Sequence, residues 1–281
     1  MLSTLTPMLR KAQKEGYGVP MFDVMDTDSL CAIINACEKL ASPVIIAYFE
    51  GFIPFVDVEV LGPMLVAAAK NAKVPVCVHL DHGSSYQMIV RALKCGFTSV
   101  MIDASTMSYE ENVRQTREVV RLARIYGADV EAEIGHVAGQ EFYNIEDERH
   151  IYTETSDAVR FIRDTEADAL AVSIGSVHGV YRQAPRLSFD RLMEIRNAVD
   201  TPLVLHGGSG ISDDDFKRLI ACGITKLNIF TDLTIAALKA SQTDTSDCSS
   251  QLYFKQKMNV MDRVREAVTE KVMLFGSNNK I

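Results

Sequence analysis

Short apolar runs recur along the whole chain, separated by segments in which apolar residues repeat with a helical period. The runs are nearly continuously apolar rather than alternating, which is typical of parallel strands covered on both faces. They are Val19 to Val24, Pro43 to Ala47, Val76 to Leu80, Ser99 to Ile102, Val130 to Ile134, Leu170 to Ile174, Leu203 to Leu205 and Lys226 to Ile229. The pattern therefore predicts eight strands joined by crossover helices.

Several of the intervening segments carry clear helix boundaries. Ser108 followed by Glu111 is a capping-box pattern, which predicts a helix that begins there and runs to Tyr126. Gly127 then supplies the left-handed residue that commonly ends a helix. The same start recurs at Ser212, so the helical segments alternate regularly with the strands.

The chain also contains an internal echo. Residues 95–102 and 222–229 both run Cys-Gly-x-Thr into an apolar strand, which indicates repeated βα units. Eight such units favour an α/β fold with a closed (β/α)8 TIM barrel, because doubly wound open sheets more often have about six strands. We expect a single domain over residues 1–281, with a mobile polar loop around 241–255 and a final helix over 258–274.

Composition and charge narrow the function classes. The 281 residues are 47% hydrophobic and 23% charged, as in soluble globular proteins, and the net charge of −8 comes without a basic run. Nucleic acid is therefore not an expected partner. No apolar stretch approaches a membrane span and no leader pattern is visible, so we expect a cytoplasmic protein without membrane contact. The six cysteines lack CxxC spacing, which favours reduced core residues over a thiolate metal site.

In a barrel of this type the active site lies at the carboxyl ends of the strands. Imidazoles follow three of the predicted strands, at His82, His178 and His206, with Asp81 next to the first. Three neutral imidazoles suit zinc or another borderline divalent ion and leave an open position for a substrate. The sequence therefore predicts one catalytic metal site.

Two further carboxylates, Asp103 and Glu133, follow the fourth and fifth predicted strands. They could orient the histidines or bind a second metal ion. An alternative is that both are buried carboxylates bonded to backbone amides. His79 precedes Asp81 on the third strand and is expected to be structural.

Glycine-rich turns end the last two strands, at residues 207–210 and after residue 228. Backbone amides in such turns commonly bind phosphate in barrels, although a tight turn without a ligand would look the same. The candidate phosphate-binding residues are Gly179, Gly207, Gly208, Ser209, Asn228, Ile229, Phe230 and Thr231.

Together these motifs resemble the class II, metal-dependent ketose-bisphosphate aldolases, over nearly the whole chain and closest to the tagatose/fructose-bisphosphate branch. The matching segments are Asp81-His82-Gly83, residues 96–103, Val130-Glu131-Ala132-Glu133, residues 175–181 and residues 205–210.

The resemblance implies zinc bound by the three histidines, Asp81 as the acid/base, and Glu141 as a mobile-loop carboxylate that moves the carbon-bound proton. It also implies that Asp103 and Glu133 match second-metal carboxylates, and it allows a monovalent cation. The glycine-rich segments would bind dihydroxyacetone phosphate, and the protein would be a homodimer or homotetramer.

The implied reaction is cleavage of a phosphorylated ketose to dihydroxyacetone phosphate and an aldehyde, through a metal-stabilised enediolate. A cation on the ketone oxygen accepts the electrons that the breaking carbon–carbon bond leaves behind. The other route is a lysine Schiff base, which we disfavour because strand six has no lysine and Lys226 starts strand eight away from the site.

Some residues depart from the family pattern around the expected pocket. The family usually has Phe-Asn after the first strand, where this chain has Phe22-Asp23. The other departures are Ala47, Phe49, Glu50, Ala138 and Phe230. We therefore expect a substrate with one phosphate, or with a different group at its far end.

Two other functions remain open. A metal-dependent hydrolase could also use three imidazoles and a carboxylate, but such barrels typically show His-x-His on the first strand, which here ends Phe22-Asp23-Val24. A non-catalytic barrel that binds a sugar phosphate or supports a partner subunit is the second alternative.

Overall fold

The computed structural model describes residues 1–137, 152–179, 181, 185–242 and 250–281. The strands are β1 (Leu2–Ser3), β2 (Val19–Asp23), β3 (Val44–Phe49), β4 (Val76–Gly83), β5 (Ser99–Ile102), β6 (Asp129–Ile134), β7 (Ala169–Val172), β8 (Leu203–Leu205) and β9 (Ile224–Ile229). The helices are α1 (Leu5–Glu15), α2 (Thr27–Lys39), α3 (Val58–Asn71), α4 (Tyr86–Cys95), α5 (Tyr109–Tyr126), α6 (Thr155–Thr165), α7 (Phe189–Ala198), α8 (Asp213–Ala221), α9 (Thr231–Ser241) and α10 (Ser250–Leu274).

Strands β2 to β9 form a closed parallel barrel. Each strand pairs in parallel with the next one along the chain, and β9 pairs with β2 through registers such as Met21 with Asn228. The short strand β1 adds to β4 at the amino-terminal end of the barrel. The predicted α/β fold with a (β/α)8 barrel is therefore confirmed, and all eight predicted strands are present.

The pleat divides each strand between two apolar layers. In β4, Val76, Val78 and Leu80 pack outward against the helices, whereas Cys77 faces the barrel interior. Below the site the interior is closed by α1, because Leu5 and Leu9 pack against interior strand residues. This N-terminal plug closes the bottom of the barrel and leaves the carboxyl ends of the strands as the face where polar residues gather.

Helix ends follow the local signals. The Ser108 hydroxyl accepts a hydrogen bond from the Glu111 amide at 3.3 Å, and Gly127 closes α5 with a φ of 68°. Ser212 accepts from the Asp215 amide in the same way at 3.1 Å.

The C-terminal helix differs from the prediction. It begins at Ser250 rather than at residue 258, so residues 250–255 belong to the helix and not to the predicted loop. The apolar pattern does not mark the first two turns of this helix because they are largely exposed. Tyr253 is 57% and Phe254 is 65% accessible to solvent. Residues 243–249 of the predicted loop lie outside the described residues.

Over the residues that the structure describes, no helix has both the length and the apolar character needed to cross a membrane.

Candidate active site

The predicted metal ligands meet at the carboxyl end of the barrel. The imidazole of His82 lies 4.7 Å from that of His206 and 5.0 Å from that of His178, measured between ring centres. One nitrogen of each ring lies within 4.8 Å of those of the other two rings. The Nε2 atom of His178 is buried, and among the described residues no hydrogen-bond partner reaches it.

The position of His82 depends on an irregularity in β4. A regular pleat would place Asp81 inside the barrel and turn His82 outward. Instead the pairing of β4 with β5 shifts register between Leu80 and Gly83, and His82 adopts a φ of 48°. This bulge with a left-handed residue turns both consecutive side chains towards the site.

The His82 imidazole lies between two carboxylates. Its Nδ1 atom lies 2.7 Å from the Asp103 Oδ2 atom, and its Nε2 atom lies 3.9 Å from the Asp81 Oδ2 atom. Burial works against protonation of the ring, but the charges of Asp81 and Asp103 outweigh it and raise the pKa of His82 to about 10. In the metal-free protein the protonated ring can therefore donate from Nε2 to the His206 Nδ1 atom, 3.0 Å away.

Asp103 is itself fixed by its neighbours. Its Oδ1 atom accepts hydrogen bonds from the hydroxyl and the amide of Ser105, at 2.8 and 3.1 Å. Burial opposes ionisation, but the bonds from His82 and Ser105 hold the pKa of Asp103 well below its usual range. This contact with His82 is the geometry that the orienting role requires, one of the two roles that the sequence left open.

Glu133 lies close to both His206 and the pair of Asp103 and His82. Its Oε1 atom accepts from the Val137 amide at 3.0 Å, and its Oε2 atom lies 3.6 Å from the His206 Nδ1 atom. Burial and the nearby charge of Asp103 raise the pKa of Glu133 to about 8. Both carboxylates lie with His82 in a second group with metal-ligand spacing, so the geometry also allows the second-metal role.

Asp81 points into the site from inside the barrel. Its Oδ1 atom accepts from the Asn228 side-chain amide at 3.2 Å, and its Oδ2 atom faces His82. His79 lies one layer below, fully buried, with Nδ1 2.8 Å from the Ser99 hydroxyl. Burial and the Lys226 charge lower the pKa of His79 to about 3, which keeps the ring neutral and fits the expected structural role.

Beneath His206 lies a buried ion pair. The His206 Nε2 atom is 2.9 Å from the Glu131 Oε1 atom, and the Lys226 Nζ atom is 2.8 Å from the Glu131 Oε2 atom. The predicted start of strand eight at Lys226 is wrong: β9 begins at Ile224, and Lys226 lies within it, fully buried. Burial opposes ionisation, but the Lys226 ammonium and the His206 N–H hold the pKa of Glu131 well below its usual range.

The loops that present His178 and His206 are in direct contact. A Cβ atom on Gly207 would lie 2.2 Å from the Val177 carbonyl oxygen, so only glycine permits the approach. The Tyr181 hydroxyl donates to the Gly207 carbonyl at 2.7 Å and accepts from the Val177 amide at 3.0 Å. Tyr181 therefore connects the two loops.

The predicted phosphate-binding segments adjoin this loop pair. The Gly208 amide donates to the Asn228 carbonyl at 3.2 Å, and the Ser209 hydroxyl accepts from the Asp232 amide at 3.1 Å. Helix α9 begins at Thr231, so its N-terminus lies beside Ser209. The side chain of Ile229 instead packs in the outer apolar layer, and only its backbone could serve a ligand. Gly179 follows His178 directly, with a φ of 87°.

Three of the residues that depart from the family pattern, Phe49, Glu50 and Phe230, form part of the wall around His82. Phe49 lies edge-on to the His82 ring at 6.1 Å and to Phe52 at 5.6 Å, and Phe52 packs against Phe230 at 5.5 Å. The Glu50 carboxylate accepts from the Ser84 hydroxyl at 2.9 Å. This wall is aromatic, and Glu50 connects it to the loop after β4.

Asp23 ends β2, is 7% exposed and pairs in register with Ala47. Glu141 and Ala138 lie outside the described residues, so their predicted roles are untested.

The sequence pattern predicts no role for Glu131 and places Lys226 away from the site. A signal was available for both, because Glu131 has the same pleat parity as Glu133, and Lys226 the same as Asn228. Glu131 lies one layer deeper in the barrel than Glu133, and Lys226 lies one layer deeper than Asn228.

A model of the family described as class-II fructose-bisphosphate aldolase matches residues 3–280. The chain is 40% identical over 303 residues to the fructose-bisphosphate aldolase of Thermus caldophilus, covering 99% of each chain. It is 36% identical over 275 residues to the sulfofructosephosphate aldolase of Alkalicoccus urumqiensis, covering 97% of this chain and 96% of the other. The crystal structure of the YdjI aldolase from Escherichia coli K12 superposes with a TM-score of 0.89 at 38% identity, covering 100% and 99% of the two chains. The chain therefore belongs to the class-II fructose-bisphosphate aldolase family and is an aldolase, a carbon–carbon lyase.

Proposed function

We propose that this enzyme reversibly cleaves a phosphorylated ketose to dihydroxyacetone phosphate and an aldehyde, with one divalent ion, zinc by preference, bound by His82, His178 and His206. The observation that carries the proposal is the convergence of three imidazole nitrogens beside Asp81. The family is generally zinc-dependent, which agrees with the nitrogen donor set.

The residues present fit such an ion. The Nε2 atom of His178 is buried and has no hydrogen-bond partner among the described residues. The Nε2 atom of His82 lies 3.0 Å from the Nδ1 atom of His206. The opposite nitrogens of His82 and His206 face Asp103 and Glu131, the arrangement that orients metal-binding imidazoles in proteins. When bound, the ion supplies an electron sink for the ketone oxygen as the carbon–carbon bond breaks.

Asp81 supplies the proton chemistry in this proposal. During cleavage it would take the proton of the hydroxyl next to the breaking bond, and in condensation it would return that proton. Asn228 holds one oxygen of Asp81 at 3.2 Å, so the carboxylate presents its other oxygen to the site. Glu141 remains our proposed group for moving the carbon-bound proton.

Phosphate would bind at the amide-rich corner made by Gly207, Gly208, Ser209 and the N-terminus of α9. Backbone N–H groups and the positive end of a helix dipole favour an anion there. Gly179 and the backbone of residues 228–231 border the same corner.

The far end of the substrate is proposed to differ from a second phosphate. Asp23 adds a buried carboxylate at the carboxyl end of the barrel. Phe49 and Phe230 contribute to an aromatic wall, whereas a hydroxyl or amide at these positions would bind a phosphate better. We therefore propose a ketose monophosphate, or a ketose phosphate that carries another group at its far end. A homodimer or homotetramer remains part of the proposal.

The test is a panel of ketose phosphates with zinc-loaded protein, read out as release of dihydroxyacetone phosphate. We expect monophosphates to be cleaved with the higher kcat/KM, and a clear preference for fructose or tagatose 1,6-bisphosphate would reject that substrate class. Chelator treatment should abolish cleavage, and zinc should restore it. Release of inorganic phosphate in place of dihydroxyacetone phosphate would instead indicate a hydrolase.

A further inference from the structure

We propose that Lys226 and Glu131 form a positioning pair that fixes the tautomer and the orientation of His206 for metal binding. This inference rests on the proposed metal-dependent function. It concerns two residues that do not reach the substrate and act only through His206.

The first step concerns the two nitrogens of His206. The Nε2 atom lies 2.9 Å from the Glu131 Oε1 atom, and the Nδ1 atom faces the Nε2 atom of His82 at 3.0 Å. An ionised carboxylate only accepts hydrogen bonds, so the bond to Glu131 places the ring proton on Nε2. The lone pair of Nδ1 is then directed towards the other imidazoles, where a metal ion needs it.

The second step concerns the charge of Glu131. The residue is fully buried, and a buried carboxylate is costly unless it is paired and hydrogen-bonded. The Lys226 Nζ atom meets both oxygens, at 2.8 Å from Oε2 and 3.1 Å from Oε1. Lys226 therefore compensates the charge and also fixes the plane of the carboxylate against His206.

The third step explains why a carboxylate is needed there. Oε1 accepts from both His206 and Lys226, and Oε2 lies 2.8 Å from the Lys226 ammonium as an ion pair. A glutamine would place an NH2 group at one of these positions, where it would face the lysine ammonium or donate to the His206 Nε2 atom. In the latter case the ring proton would move to Nδ1, and the lone pair needed by the metal would be lost.

A merely structural ion pair would behave differently. Buried ion pairs can often be replaced by apolar residues without loss of stability, so burial alone assigns Lys226 no functional role. The distinguishing feature is the shared oxygen of Glu131, which connects the lysine to a proposed metal ligand through two hydrogen bonds.

The test uses the full chain with Lys226→Met, Glu131→Gln and the double variant. Two quantities are measured: the affinity for Co²⁺ by chelator competition, and the tautomer of His206 in metal-free protein by nitrogen-15 NMR. We expect each single variant to lose about 10- to 100-fold in Co²⁺ affinity, in line with other residues that orient metal ligands. The spectra should show proton density moving from Nε2 to Nδ1.

The double variant separates positioning from folding. Without the lysine, the amide oxygen of the introduced glutamine is free to accept from the His206 Nε2 atom, so the double variant should bind Co²⁺ more tightly than Glu131→Gln alone. Ile45→Ala is the matched control, because Ile45 is also a fully buried interior residue and its loss creates a cavity. That variant should lose stability and keep its Co²⁺ affinity.

The inference is overturned if Lys226→Met binds Co²⁺ within about twofold of wild type with His206 still protonated on Nε2, or if Ile45→Ala loses as much affinity. If Lys226→Met does not fold, a double variant that binds no more tightly than Glu131→Gln overturns it equally. Wild-type protein that binds no Co²⁺ would defeat the proposed function instead, whereas the tautomer in metal-free protein tests the positioning pair on its own.

Discussion

The contact between the His178 and His206 loops permits a quantitative test at Gly207. Replacing Gly207 with Ala imposes two separate costs. The backbone there has a φ of 66°, and an L-residue in this left-handed region costs about 1–2 kcal/mol. The new Cβ atom would also lie 2.2 Å from the Val177 carbonyl oxygen, whereas ordinary contacts begin at 3.4 Å.

The second cost sets the effect on activity. The obstruction is backbone rather than a flexible side chain, so relief requires one loop to move by about 1 Å relative to the other. A misplacement of that size between groups that act together can cost about 10²-fold in rate. Because the moving loops carry His178 and His206, Co²⁺ affinity should fall as well.

Gly127→Ala is the matched control for Gly207→Ala. Gly127 has almost the same φ, 68°, but a Cβ atom there would meet nothing within 4 Å. We expect this variant to lose about 1–2 kcal/mol in urea unfolding and to keep its Co²⁺ affinity and its kcat/KM for the best panel substrate. Gly207→Ala that keeps affinity and kcat/KM at the level of Gly127→Ala would refute the close approach of the two loops.

Four further predictions concern single sites. Asp81→Asn should lower kcat by about 10²- to 10⁴-fold with metal content unchanged in elemental analysis, and unchanged turnover would remove Asp81 from the mechanism. Asp103→Asn should weaken Co²⁺ binding by about 10- to 100-fold in chelator competition, because His82 loses the carboxylate that orients it; an unchanged affinity would contradict that role. The Co²⁺ affinity of the wild type should rise by up to about tenfold per pH unit between neutral pH and pH 9. The reason is that metal binding must displace the proton that His82 holds below its pKa of about 10. Co²⁺ titrations at several pH values in which the affinity does not change with pH would argue against this. Ser108→Ala should cost about 1 kcal/mol in urea unfolding through loss of the α5 cap, with kcat/KM unaffected.

Local patterns were sufficient for much of the barrel. The predicted strands over 99–102 and 203–205 agree with β5 and β8 at both ends. The start of α5 at Ser108 and its stop at Gly127 also follow from signals within a few residues. Strand and helix boundaries of this kind depend on backbone propensities and on burial of one face, which neighbouring residues encode directly.

Convergence of the three histidines was also predictable, because a barrel brings all carboxyl ends of its strands to one face. The orientation of His82 was not. A period-two pattern assigns it to the outside, and only the register shift between β4 and β5 turns the ring inward. That shift arises from the fit of two strands within a closed barrel, which neither strand encodes alone.

The sequence by itself thus determined the eight strands, their order along the chain and the polar residues that follow them, because these features depend on near neighbours in the chain. Tertiary structure alone decided which polar residues share a layer inside the barrel. Glu131 and Lys226 are 95 positions apart and meet only because β6 to β9 pair in fixed register around a closed ring. Closure fixes that register through the contacts of every strand at once, so the pairing beneath His206 is a property of the whole barrel rather than of any segment.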